Sequence, residues 1–205
     1  MSHYFDREPT GRSDERTVEV TLPDLAFTMT TDRGVFSHDR LDTGTNLLLR
    51  TAPPPPPSGH LLDLGCGAGP IALTMAKRSP EAVVHAVDVN ARARELCARN
   101  AAALGLANVQ VAAPDDVDPE LIFAAIWSNP PIRIGKPALH DLLTTWLARL
   151  TPDGTAVLVV QRHLGADSLQ QWLDQQGHPT SRLASRAGFR VIGIATRGER
   201  PPTER

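Results

Sequence analysis

Several features are missing from this 205-residue chain, and each absence excludes something. It has only two cysteines, Cys66 and Cys97, too few for a disulfide framework or a four-cysteine zinc site. Its seven histidines are scattered without the spacing of metal ligands, so no metal is expected. No run of about 18 apolar residues occurs, which excludes a transmembrane helix. The first residues, MSHYFDREPTGRSDER, are polar and charged, unlike a secretory signal. Together these absences point to a cytoplasmic protein. Basic charge is not in excess: 21 Lys and Arg face 23 Asp and Glu, a net charge of -2. That argues against a strongly basic nucleic-acid-binding domain. There is no internal repeat, no G-x-S-x-G and no lysine-bearing phosphate loop. Proline, by contrast, is abundant. The chain has 18, where average usage of about 5% would give roughly 10.

Residues 1–16 read as a polar tail. In TVEVTL, Val18, Val20 and Leu22 alternate with polar neighbours, and Leu25, Phe27 and Met29 alternate again after Pro23-Asp24. This is a hairpin pattern with a Pro-Asp turn. A short helix is expected at Asn46–Arg50, so residues 17–52 form an appendage of hairpin, loop and helix. The prolines at 53–57 impose polyproline geometry without backbone donors, and 53–59 reads as a stiff linker.

From His60 onward strands and helices alternate. Strands are expected at 60–64, 82–87, 108–113, 121–128 and 155–161. Helices are expected at 68–79, with Pro70 in the first turn, and from the Asn90 cap to Leu104, where Gly105 stops it. Leu139, Leu142, Leu143, Trp146, Leu147 and Leu150 share one apolar helical face. Another helix turns Leu169, Trp172 and Leu173 inward. The last two strands, 181–186 and 189–197, have only Ala187-Gly188 between them, so they pair antiparallel. Five βα units and a reversed ending predict an α/β sheet with helices on both faces over residues 60–198, followed by a tail at 199–205.

The first strand runs into Asp63-Leu64-Gly65-Cys66-Gly67-Ala68-Gly69-Pro70. A glycine-rich turn there lets a ligand approach the backbone. Pro70 stands where a dinucleotide fold needs the last glycine of G-x-G-x-x-G, which argues against a pyrophosphate ligand and a dehydrogenase. Asp88, ending the second strand with Val89 beside it, is placed to accept ribose hydroxyls or to serve a helix cap. Asp115 or Asp116 either accepts from an adenine amino group or serves a turn after Pro114. Cys66 needs only to be small. The fourth strand ends in Ser128-Asn129-Pro130-Pro131-Ile132. Adjacent prolines stiffen that turn and leave carbonyls as acceptors, and Asn129 adds a side-chain acceptor. Such a set suits an amino group whose nitrogen is a weak nucleophile. Gripping its hydrogens favours the pyramidal geometry that attacks an activated methyl.

These residues resemble the class I S-adenosylmethionine-dependent methyltransferases. The resemblance implies a Rossmann-like seven-stranded sheet, mostly parallel with the last strand antiparallel. It also implies that Gly65, Gly67 and Gly69 wrap the methionine part of the cofactor, with Asp63 near its amino group. N-P-P followed by an aromatic is similar to the motif of enzymes that methylate planar amino groups, but here Ile132 holds the fourth place. NPPIRIGK, preceded by GVFSHDRLDTGTNLLL, most resembles the bacterial ribosomal-RNA small-subunit guanine-N2 methyltransferases. By that resemblance Phe36, Ser37, Asp42, Gly44 and Thr45 cover the cofactor and substrate mouth, Phe36 is a substitute ring, and Arg133 and Lys136 meet phosphates. The partner implied is ribosomal RNA or the small ribosomal subunit, gripped by a local patch of Arg33, Arg40, Arg133 and Lys136. Three other readings stay open: methylation of a protein glutamine, methylation of a small-molecule amine, or a non-catalytic cofactor-binding module.

Overall fold

The computed structural model describes residues 13–35 and 40–196. The alternating N-terminal segments form β1 (Arg16–Thr21) and β2 (Ala26–Thr31), paired antiparallel with Val18 opposite Met29 and Val20 opposite Phe27. Pairing in that register puts all four apolar side chains on one buried face. The Leu22 N–H donates to the Leu25 carbonyl at 2.9 Å and closes the Pro23-Asp24 turn. Helix α1 (Thr43–Thr51) follows, capped by the Asp42 carboxylate, which accepts from the Thr45 N–H.

The remaining strands are β3 (Ser58–Leu64), β4 (Glu81–Val87), β5 (Val109–Ala112), β6 (Phe123–Ser128), β7 (Leu150–Gln161), β8 (Thr180–Arg186) and β9 (Phe189–Ala195). They form one sheet in the order β5-β4-β3-β6-β7-β9-β8. Neighbours from β5 to β7 pair parallel, and β9 alone runs against the rest, inserted between β7 and β8. The turn that reverses it has positive φ at both centres, +51° at Ala187 and +81° at Gly188. Two such residues make the tight hairpin turn that matches strand twist. The expected α/β architecture with a reversed last strand is the one observed. Several boundaries differ from the sequence pattern: α1 starts at Thr43 rather than Asn46, and β3 starts at Ser58, inside the expected 53–59 linker. Leu150, grouped with the helix by its spacing, begins β7, and β6 starts two residues later than its apolar run.

Period-two alternation divides the core. Leu61, Val84, Ala125, Trp127 and Val157 face α1, α2 (Pro70–Arg78), α3 (Ala91–Ala103) and the hairpin. Leu62, Leu64, Ile126, Leu158 and Ile192 face α4 (Lys136–Leu147) and α5 (Ala166–Gln175). Both faces are therefore covered, as a mainly parallel sheet requires.

The appendage and the sheet are joined, a difference from the stiff spacer that the prolines suggested. Pro55 is buried, and its carbonyl accepts from Ser79 Oγ at 3.4 Å. Val20, Phe27, Leu48 and Leu49 belong to the same core as Leu61, Ile71 and Met75. Arg78 forks onto both Asp24 carboxylate oxygens at 2.8 and 2.9 Å and donates to the Leu49 carbonyl at 3.0 Å. Buried Asn100 is the second tie. Its Oδ1 accepts the Thr30 N–H at 2.8 Å, and its Nδ2 donates to the carbonyls of Thr30 (2.8 Å) and Ala68 (2.9 Å). One side chain thus locks the hairpin onto the glycine loop. Asn100→Ala strands the buried Ala68 carbonyl and two part-buried backbone groups of Thr30, and is expected to cost about 2 kcal/mol. In thermal unfolding that is a fall of roughly 4–8 °C in Tm for a chain of this size.

The strand order sets the place of the site. Successive crossovers from β3 run to β4 on one side and to β6 on the other. Where they diverge, a crevice opens beyond the carboxyl ends of β3 and β6. The Ser128 hydroxyl bridges those ends by donating to the Leu64 carbonyl at 2.6 Å.

Candidate active site

A cavity of about 310 Å³ fills this crevice. Its floor is the loop from β3 into α2. Gly65 and Gly67 have φ of +79° and +55°. A Cβ on Gly65 would meet nothing within 4 Å, and one on Gly67 only Val35 at 3.9 Å. The backbone is thus bare toward open space, a cradle rather than a packed turn. Gly69 differs. A Cβ there would lie 2.7 Å from Cys97 Sγ, and the residue does not line the cavity. Its job is the close approach of α2 to α3. Cys66 lines the cavity by position, but its thiol is buried, and neighbouring Cys97 together with burial pushes its pKa up, so it is a poor nucleophile.

Asp63 is fully buried next to the loop and does not itself line the cavity. Its Oδ2 accepts the Ala72 N–H at 2.9 Å, while its Oδ1 has no partner. Burial pushes the carboxyl up to about 8, the charge of Asp88 adds to this, and the Ala72 N–H opposes it. An orphaned buried acid beside bare glycine backbone fits a ligand that brings a positive charge.

Asp88 lines the cavity at the end of β4. Its Oδ2 accepts the Gly67 N–H and its Oδ1 the Asn90 N–H, both at 2.9 Å. Asn90, not Asp88, caps α3 by accepting from the Ala93 N–H. Each Asp88 oxygen keeps acceptor capacity for a further donor. Burial raises the Asp88 pKa, and the two N–H bonds oppose it. Val89, 40% exposed, continues the wall. Asp115 and Asp116 lie in a 3-10 turn (Pro114–Asp116) and are exposed, and of the three only Pro114 lines the cavity.

The opposite wall is Asn129 to Arg133. Asn129 Nδ2 donates to Asp42 Oδ2 and to Thr45 Oγ1, both at 3.0 Å. With its amide nitrogen held from behind, the amide has one orientation, and among the described residues nothing donates to Asn129 Oδ1. Asp42 and Thr45, expected at the cofactor mouth, do line the cavity, and they also hold the acceptor. Gly44 does not line it. A Cβ on Gly44 would sit 2.7 Å from the Phe189 ring. The Pro130 carbonyl already accepts the Ile132 N–H at 2.8 Å and retains a second lone pair. Ile132 and Arg133 line the mouth, whereas Lys136 lines a neighbouring cavity. Phe36 and Ser37 lie outside the described residues. Arg40 is at the mouth, but Arg33 does not line the cavity and pairs with Asp14 at 3.4 Å.

Sequence reasoning missed Phe189, Gln161 and Leu164, which all line this cavity. Phe189 is paired with Gln161 across β9 and β7. A reversed strand starts where its parallel neighbour ends, so the first residue of β9 arrives at the crevice. That topological signal was available in the short Ala187-Gly188 link.

The sheet with one reversed strand and the glycine cradle at the switch point together define a methyltransferase. The chain belongs to the methyltransferase small domain family, whose model matches residues 26–193. It is 35% identical over 193 residues to uncharacterized protein YbxB of Bacillus subtilis (strain 168), covering 93% of this chain and 96% of that one. To ribosomal RNA small subunit methyltransferase C of Aeromonas hydrophila it is 36% identical over 195 residues, which is 93% of this chain and 53% of the relative. The fold matches a T. thermophilus 16S rRNA N2 methyltransferase, solved in complex with AdoMet and guanosine, with a TM-score of 0.74 at 23% identity. That match covers 92% of this chain and 52% of the other. The chain thus spans about half the length of the ribosomal RNA methyltransferases it resembles.

No group of His, Cys, Asp or Glu among the described residues is arranged to hold a metal ion. No helix among them is long and apolar enough to cross a membrane.

Proposed function

We propose that the chain methylates the exocyclic N2 amine of a guanine in small-subunit ribosomal RNA, in the cytoplasm. The observation that carries this reading is the clamped amide of Asn129 beside the cavity, with its nitrogen held by Asp42 and Thr45 and its Oδ1 without a donor among the described residues. When bound, S-adenosylmethionine supplies an electrophilic sulfonium methyl. Gly65 and Gly67 offer backbone to its methionine part, with Gly69 holding the loop closed behind them. Asp63 would lie near its amino group, and Asp88 would take the ribose hydroxyls. Val89 and Pro114 would flank the adenine.

An exocyclic guanine amine has its lone pair delocalised into the ring. Asn129 Oδ1 accepts one amine hydrogen, and the remaining lone pair of the Pro130 carbonyl accepts the other. Held so, the nitrogen pyramidalises and its lone pair is freed toward the methyl. The nitrogen–methyl bond forms as the sulfur–methyl bond breaks, and the nitrogen then loses a proton to solvent. No strong base is needed, because positioning and electrostatics supply the rate. A base presented this way is out of its stack and needs an apolar face. Ile132 gives a flat aliphatic wall, and Phe189 supplies the ring that position 132 lacks.

The net charge of -2 restricts the grip on RNA to this mouth. Arg40 and Arg133 are there, and Lys136 lies one cavity away. An assembled small ribosomal subunit presents its target in place, so a local grip suffices.

The test is transfer of tritiated methyl to small ribosomal subunits, naked ribosomal RNA and total cell protein. Label recovered as N2-methylguanine is the expected result. Label in protein glutamine with none in RNA would overturn the guanine reading.

A further inference from the structure

We infer that a second cavity beside the first is a subsite for one nucleotide flanking the target guanine in single-stranded RNA. The inference rests on the function proposed above and extends it. This cavity measures about 180 Å³ and lies between the first turns of α4 and α5. Ile132, Arg133 and Leu164 line both cavities, so the two form one trough with a shared wall. A base flipped into the first cavity remains covalently joined to its neighbours, and the trough is where one neighbour can go.

The chemistry of the second cavity fits a nucleotide. Its depth is aliphatic, and Leu164, on the shared wall, is 38% exposed. Arg133 and Lys136 line it, both exposed, and among the described residues neither makes an ion pair. No carboxylate lines it. Two acids adjoin lining residues in sequence without lining the cavity: Asp167, in the first turn of α5, is engaged by Arg190, and Asp141, next to His140, is exposed to solvent. An apolar slot edged by unpaired cations is the arrangement that holds a base face and its phosphate. The back wall is rigid, because His140 stacks on Trp172 with ring centroids 3.9 Å apart and planes within 8°.

The experiment is calorimetry with S-adenosylhomocysteine present. Guanosine is compared with two dinucleotides that add one uridine nucleotide on its 5′ or its 3′ side. One dinucleotide is expected to bind roughly tenfold tighter than guanosine, the scale of one base stacked and one phosphate met. That ratio should fall toward one in Lys136→Glu, which reverses the charge, and in Ser168→Tyr, which fills the cavity from an exposed position. It should also shrink as salt is raised. No gain from either dinucleotide, or a gain that survives both substitutions, overturns the subsite while the guanine reading stands. Failure to bind guanosine at all overturns the guanine reading and the subsite with it.

Discussion

Asn129→Ala is expected to lower kcat and kcat/KM for methyl transfer equally, by about 10²–10³-fold. The acceptor matters most when the amine pyramidalises, so its loss is a loss in the transition state rather than in ground-state binding. A sharper result comes from the groups behind it. Asp42 Oδ2 does two things, accepting from the Thr45 N–H at 2.8 Å and from Asn129 Nδ2 at 3.0 Å. Asp42→Ser separates them. Serine is a good helix cap, so α1 keeps its first turn, but its side chain is too short to reach Asn129. The expected outcome is an unchanged Tm with kcat down about tenfold to a hundredfold, because an amide held by the Thr45 hydroxyl alone, which can donate as well as accept, samples the wrong rotamer and the wrong end. In an Asn129→Ala background the same substitution should do almost nothing further. A double-mutant cycle with full additivity would show that Asp42 acts on the site by another route.

That clamp also shows where sequence reasoning stops. Asn129 lies 87 residues from Asp42 and 84 from Thr45, and no local pattern joins them. D-T-G reads as the end of a loop before a helix at Asn46–Arg50, whereas α1 begins at Thr43, and N-P-P-I reads as a stiff turn, which it is. Only the folding of α1 over the crevice brings the two together. The glycine loop was legible because its φ values admit little else, and the strand order because crossovers and one short link leave few topologies. The proline run was legible locally as stiff backbone. Its docking was not, since the burial of Pro55 is decided by Ser79 on the end of α2 and by a core that gathers residues from Val18 to Val191. Asn100 was similarly hidden. It sits in the last turn of α3, and its partner Thr30 is 70 residues away. Of the acids after β5, the pattern identified the right turn, but the structure turns Pro114 rather than Asp115 or Asp116 to the cavity. The chemistry that is local in sequence could be read. The chemistry that depends on two distant segments meeting could not.

Cofactor affinity is expected to rise with pH between about 6 and 8, by up to roughly tenfold per unit, because of Asp63. Its carboxyl has no cation beside it, and burial holds it protonated up to about 8. A ligand whose ammonium group settles near the free Oδ1 stabilises the carboxylate, so binding below pH 8 must expel a proton. Lower pH makes that harder and weakens binding. Calorimetry with S-adenosylhomocysteine in buffers of different ionisation enthalpy should detect close to one proton released per site at pH 7. Release of none would separate Asp63 from the ammonium. The same carboxyl affects folding with the opposite slope. Between its ordinary value of 3.8 and about 8, the folded chain holds a proton that the unfolded chain has lost. Its contribution to stability is therefore full below pH 3.8 and lost as pH rises toward 8. Asp88 is shifted upward too and works in the same direction. Asp63→Asn removes one titration and leaves the other, so the variant's Tm should decline less steeply across this range than that of the parent chain. Parallel profiles would mean that Asp63 does not hold its proton in the folded chain. If the slopes differ and the ligand profile is steep, the buried acid is held neutral until a cation arrives to pair with it, and an empty crevice does not bury an unpaired negative charge.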